Sequence, residues 1–274
     1  MTITQHWVQL RRRFVMNYGR RLLWAMDNFI GRQSTIGDHP FFEAEQFPWV
    51  QTLEAHWRTI RAELDEVMKF REHVPAFHQL SPDQQRISKG DNWKTFVIYG
   101  FGNRAERNCR LCPETARILA TIHGLQNAWF SILTPGYHIL PHRGVTKALI
   151  RCHLALLVPE QAEQCWLRVD DQRRHWEEGK CLVFDDTYDH EVWNQTAQDR
   201  AVLFIDIERP LKLPGRWLAK FLVRGVQWTA YVQDARKNLA TWEDRLEAAV
   251  QRAETYQYAD ADDKPQGSPD KPTK

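Results

Sequence analysis

Apolar and polar positions change their rhythm twice along the chain. Residues 7–31 carry Trp7, Leu10, Phe14, Leu22 and Met26 at roughly helical spacing, which predicts a first helix. A Gly/Ser/Pro-rich loop, "GRQSTIGDHPFF", follows. In "FPWVQTLEAHWRTIRAELDEVM", Val50, Leu53, Trp57, Ile60 and Leu64 form one stripe, the mark of a single amphipathic helix. "SPDQQ" at 81–85 starts a turn, "WKTFVIYGFG" at 93–102 reads as a strand ending at glycines, and 113–119 reads as a short helix.

From about 124 to 208 the texture shifts to short β-branched or aromatic runs broken by turn residues: "AWFSIL", "YHILP", "ALIRCHLALLV", "CWLRV", "RRHWEEG", "CLVFD", "HEVWNQ" and "RAVLFIDI". Short strands at this spacing predict a sandwich or jelly roll, not a doubly wound parallel sheet. After Pro214 helical spacing returns, with Trp217, Phe221, Trp228 and Val232 spaced for one face. Residues 256–274 are a polar Pro/Asp/Lys stretch that reads as a disordered tail. The expected organisation is a basic helix and loop at 1–45, a jelly-roll domain at 46–212, a helical extension at 213–255 and the tail at 256–274.

Composition narrows the classes. At 274 residues the chain can bury a sizeable core, and a formal net charge of +2 argues against a dedicated nucleic-acid binder. Five cysteines, thinly spread, are not a disulfide framework and fit a reducing cytoplasm. "CRLC" at 109–112 has no second close pair to complete a zinc site. No apolar stretch is long enough for a transmembrane helix. The N-terminus holds arginines and no acid before Asp27, so contact with the inner face of a membrane is an open alternative to packing on the domain. The twelve tryptophans read first as core and helix-packing residues.

Strand parity supplies the chemistry. Residues i and i+2 share a face, so Leu149, Arg151 and His153 face one way while Ile150, Cys152 and Leu154 face the other. Arg200 shares a face with Val202 and Phe204, and Asp206 falls on it too, where it could position Arg200. Two arginines aimed into one cavity suit a small dianion; equally, each could pair with an ordinary carboxylate. His142 lies between strands in "PHRG" and His190 opens "HEVWNQ". Non-haem iron sites commonly use His-x-Asp/Glu, a distant His and an Arg about ten residues further on. Here Arg200 follows His190 at that spacing, and Gly144 fills the carboxylate position.

Taken together, "WKTFVIYGFG", "CPET", "FSILTPGYHILPHRG", "LIRCHLALLVP", "HWEEGKCLVFDDTYDHEVWNQT" and "DRAVLFIDIERP", within 47–211, resemble the aspartyl/asparaginyl β-hydroxylase family of Fe(II)/2-oxoglutarate dioxygenases. The resemblance implies a mainly β core folded as a double-stranded β-helix (a cupin-like jelly roll) with flanking N- and C-terminal helices. It also implies iron held by His142 and His190 without a carboxylate, with water or weaker metal retention beside Gly144. The 2-oxoglutarate contacts it implies are Ser131 and Arg200 at the distal carboxylate and Arg151 and His153 near the chelating end. The reaction would consume O2 and 2-oxoglutarate, release succinate and CO2, and hydroxylate an unactivated C–H.

The acceptor expected first is the β-carbon of an aspartyl or asparaginyl residue, in a peptide or as a carrier-bound amino acid. The alternative is an acyl chain, as in lipid A 2-hydroxylases. A halogenase and a non-enzymatic cupin-like binding module are lesser readings. Asp185, Asp186, Asp189 and Glu191 are expected to shape the turn before His190 and to orient that histidine through its second nitrogen.

Overall fold

The computed structural model describes residues 25–262 of the chain. The end of a first helix, α1 (residues 25–32), leads to a short strand, β1 (Phe41–Phe42). The predicted amphipathic helix then forms as two, α2 (Pro48–Ala55) and α3 (Trp57–Met68). The break falls at His56, whose Nδ1 takes the Thr52 carbonyl at 2.8 Å while its backbone N–H bonds Leu53 instead of Thr52. A side chain that occupies an i−4 carbonyl displaces the backbone donor that a continuous helix needs. The stripe survives the break: Val50, Leu53, Ile60 and Leu64 are all buried.

The β region follows the sequence pattern closely. After the single turn α4 (Phe77–Leu80), β2 (Trp93–Gly100) turns into β3 (Asn103–Arg104). Helices α5 (Glu106–Leu111) and α6 (Pro113–Leu119) come next, α6 starting on Pro113, where a missing N–H costs nothing. The strands β4 (Leu125–Leu133), β5 (His138–His142), β6 (Leu149–Leu157), β7 (Cys165–Val169), β8 (Gln172–His175), β9 (Cys181–Phe184), β10 (His190–Asn194) and β11 (Arg200–Glu208) complete it. "RRHWEEG" is strand only through His175. Two antiparallel sheets result, ordered β1-β9-β6-β11-β4-β2-β3 and β5-β10-β7-β8. They face each other as a jelly roll, the double-stranded β-helix expected from the sequence.

Two cores divide the large sheet by parity. Its outer face packs Ile150, Cys152, Leu154, Leu203 and Ile205 against Leu53, Ile60 and Leu64 of α2 and α3. Its inner face meets Ile139, Leu167, Val169 and Val192 of the small sheet. Helices α7 (Leu213–Gln227) and α8 (Ala230–Asp262) close the far side. They do not carry Trp217, Phe221, Trp228 and Val232 on one face, because the chain turns at Trp228. Val232 is buried, while Trp217, Phe221 and Trp228 lie in solvent, against the expectation that the tryptophans serve packing. Helix α8 continues to Asp262, into the stretch read as a tail. The expected helix over 7–24 and the remainder of the tail lie outside the described residues. All five cysteines are free and buried.

Leu203 sits fully buried on β11 between β4 and β6, on the helix-facing side. Leu203→Ala is expected to lower unfolding free energy by about 2–5 kcal/mol, measured by chemical denaturation at constant m-value.

Candidate active site

The turn "TPGY" sets up the first histidine. Gly136 takes φ +68° after Pro135, the arrangement that Pro-Gly turns favour, and launches β5 towards His142. Strand β10 runs antiparallel to β5 with His190 opposite His142 in register. Their ring centroids are 4.1 Å apart. Each ring is held by the carbonyl two residues before it: His142 Nδ1 to Leu140 O at 2.8 Å, His190 Nδ1 to Tyr188 O at 3.0 Å. A carbonyl only accepts, so both Nδ1 atoms carry hydrogen and both Nε2 atoms keep a lone pair. Burial, with the charges of Arg151 and Arg86 adding, brings His142 down to about 4. Burial and neighbouring His142 and Arg151 hold His190 well below its usual value. Both rings are therefore neutral near pH 7. The carboxylates expected to orient His190 do not: a backbone carbonyl does.

Three strands of the large sheet carry the other predicted residues. Ser131 on β4 pairs in register with Val202, and His153 on β6 pairs with Phe204. Arg200 is 1% exposed, donates to Ser131 O at 3.3 Å and stands 4.8 Å over the Trp176 ring. Its Nε has no partner, and among the described residues no carboxylate pairs with it. Burial, only partly offset by the neighbouring Cys165, lowers its pKa to about 10, the response of a cation with no carboxylate to compensate it. Both ring nitrogens of His153 are likewise buried and unpartnered. The Ser131 hydroxyl accepts from the Trp93 indole at 2.9 Å, which leaves its own hydrogen to donate. These orphaned donors define a dry site for an anion.

Arg151 differs. It bonds Asp206 through Nε at 2.9 Å and pairs with Asp186 at 2.8 Å, and Asn127 braces Asp206 at 2.9 Å. Asp206 thus serves Arg151, not Arg200 as parity allowed, because β6 and β11 pair with Arg151 opposite Asp206. Asp186 stands against Gly144, whose N–H donates to the Asp186 carbonyl at 2.7 Å; a Cβ at Gly144 would overlap the Asp186 carboxylate. That carboxylate packs directly beside Gly144. Burial, then the nearby Asp206 and Asp185 charges, push Asp186 up against the pull of Arg151. The other acids of the turn are tied elsewhere: Asp185 to Arg209 and Lys147, Asp189 and Glu191 to Arg168.

Among the described residues no group of three or more His, Cys, Asp or Glu side chains is arranged to hold a metal. The donor set on offer is the neutral His142–His190 pair, which suits a divalent transition ion with its remaining positions open to other ligands. From His142 a cavity of about 250 Å³ extends towards α7 and α8. Phe77, Trp93, Val97, Trp129 and Leu239 form its apolar wall, and Arg151 and Asp186 lie at its inner end. Trp129 stacks on Phe204 at 3.8 Å, and Arg236 lines the cavity with Nε buried and unpartnered. Sequence reading missed Asp186 as the partner of Arg151, Trp93 as the brace of Ser131 and the whole apolar cavity. Parity puts Asp206 on the inward face of its strand, but beside Arg200 and not Arg151.

Gly144→Ala is expected to cost about 1–3 kcal/mol by driving Asp186 off Arg151. In Gly144→Ala/Asp186→Ala the two losses will be clearly less than additive, as thermal unfolding of the four proteins measures.

Residues 54–210 match the family model described as aspartyl/asparaginyl beta-hydroxylase. An ornithine lipid ester-linked acyl 2-hydroxylase of Rhizobium tropici is 39% identical over 220 residues, 80% of this chain and 78% of that protein. The aspartyl/asparaginyl beta-hydroxylase of Mus musculus is 34% identical over 170 residues, 60% of this chain but 22% of the mouse protein. A Pseudomonas putida prolyl-4-hydroxylase structure aligns with 56% of this chain and 87% of its own at 19% identity, TM-score 0.36.

Proposed function

The chain belongs to the aspartyl/asparaginyl β-hydroxylase family, and from that membership we propose that it is an Fe(II)- and 2-oxoglutarate-dependent hydroxylase acting on the acyl chain of a polar lipid at the carbon beside its carbonyl. The observation that carries the cofactor requirement is the pairing of two neutral histidines with a fully buried arginine that has no carboxylate. His142 and His190 would hold the iron by Nε2. Bound iron, with 2-oxoglutarate and O2, supplies the oxidising power for an unactivated C–H.

The chain's own residues bind and orient. Arg200 takes the distal carboxylate of 2-oxoglutarate in its fork, Ser131 donates its hydroxyl hydrogen to it, and His153 is buried beside Arg200's site with both nitrogens free for the same ligand. Arg151, held in place by Asp206 and Asp186, presents its guanidinium near the histidines. Trp129, Phe204 and Trp93 exclude water.

Support for the acceptor comes from the cavity. An apolar wall that begins at His142 fits a hydrocarbon chain better than the charged side chain of aspartate. Arg236 is available for a phosphate or carboxylate of the head group. The similarity to the Rhizobium tropici acyl hydroxylase along most of both chains supports the same order. The aspartyl or asparaginyl acceptor expected first from the sequence becomes the second reading, supported by the family's name and by the Mus musculus relative.

The test is incubation with Fe(II), ascorbate and 2-oxoglutarate, offering an acylated polar lipid and an Asp/Asn peptide in parallel. A product heavier by one oxygen, about 16 Da, is expected on the lipid acyl chain. Such a product on the peptide alone would sink the acceptor assignment. His142→Ala and His190→Ala are expected to abolish 2-oxoglutarate consumption, and turnover retained by either would remove the proposed iron site. Arg200→Met is expected to raise KM for 2-oxoglutarate by about tenfold or more. Arg236→Ala should raise KM for the lipid and leave that for 2-oxoglutarate unchanged in steady-state assays.

A further inference from the structure

Helix α7 has two unlike faces. Leu218, Ala219, Leu222 and Val223 pack inward on Ile30, Ala148 and Leu211. Outward, Leu213, Trp217 and Phe221 follow one another at intervals of one helical turn, and Trp228 stands in the turn just past the helix end. They are 67%, 74%, 71% and 86% exposed. A folded protein rarely leaves so many large apolar side chains in water along one helix and the turn that ends it. Arg216, Lys220 and Arg224 are exposed on the same side, and the sequence holds no acid between Glu208 and Asp234.

We infer that this face of α7 docks the protein on an anionic phospholipid bilayer, the aromatic rings entering the head-group layer and the cations pairing with lipid phosphates. Charge selects this occupant. A second copy of the face would set Arg216, Lys220 and Arg224 against themselves. Residues 1–24 contain five arginines and no acid, so they share its sign and its preference. An anionic bilayer complements both. Amphipathic helices with large apolar side chains and flanking Lys/Arg bind such surfaces in the plane of the interface. Among the described residues no helix is long and apolar enough to cross a membrane, so α7 lies on the bilayer.

Docking would also orient the cavity. Val223 and Gln227 of α7 line it, and so does Val145, 76% exposed and three residues before the Ala148 on which α7 packs. Helix α7 therefore borders the cavity with its inner side while its outer side carries the docking face. The inference rests on α7 and not on the identity of the acceptor.

The test is co-sedimentation of the full chain with vesicles of phosphatidylcholine containing phosphatidylglycerol, and with phosphatidylcholine alone. Preferential binding to the anionic vesicles, weakening with added salt, is expected. Trp217→Ser/Phe221→Ser/Trp228→Ser and Arg216→Glu/Lys220→Glu/Arg224→Glu should each lower the partition coefficient by about tenfold or more. Their thermal midpoints, and their 2-oxoglutarate consumption with a detergent-dispersed acceptor, should match the parent. Undiminished vesicle binding by both variants would overturn the proposal, whatever the enzyme assay shows. So would a dimer without lipid that the aromatic variant dissociates, which would make the face a subunit contact.

Discussion

Every second residue of β4, β6 and β11 faces the helices, and the residues between face the gap between the sheets. On β6 this sends Ile150, Cys152 and Leu154 outward onto α2 and α3, and Arg151 and His153 inward. On β11 it does the same with Leu203 and Ile205 against Arg200, Val202 and Phe204. A slip of one residue in register would exchange a dry apolar layer for a charged one, so the packing of the outer core holds the site residues inward. Stability and chemistry are written on alternate positions of the same strands.

The two inward arginines show how much environment matters for one residue type. Arg151 has Asp206 and Asp186 within hydrogen-bonding reach, two carboxylates that clamp one guanidinium in place. Arg200, more deeply buried, has a carbonyl, the Cys165 thiol and an indole face. Leaving a charge uncompensated in a dry interior costs several kcal/mol, a cost that a ligand dianion would offset on binding. Parity alone left the carboxylate-paired and ligand-binding alternatives open for both. The pairing of β6 with β11 assigns Asp206 to Arg151.

Much of this was legible in the chain. Strand runs, the inward set and the stripe of α2 and α3 follow from periodicity, and His142 and His190 stand out because they flank runs of strand. What was not legible depends on contacts between distant segments. The break at His56 turns on one side-chain hydrogen bond. Asp186 cannot be assigned to Arg151 and Gly144 without knowing which loops meet. The exposed face of α7 has the same apolar spacing as a packed one; only the turn at Trp228 and the partners already taken by Leu218 and Leu222 decide that it looks outward.

Gly144 and Asp186 constrain each other. The Asp186 carboxylate, from the loop before β10, stands against Gly144 and is already committed to an arginine. A mutation that introduced a side chain at 144 would meet that carboxylate before it met anything else, and one that removed Asp186 would strip Arg151 of a counter-charge. The two positions are therefore coupled by packing, and the smallness of residue 144 is a condition for the ion pair that clamps Arg151.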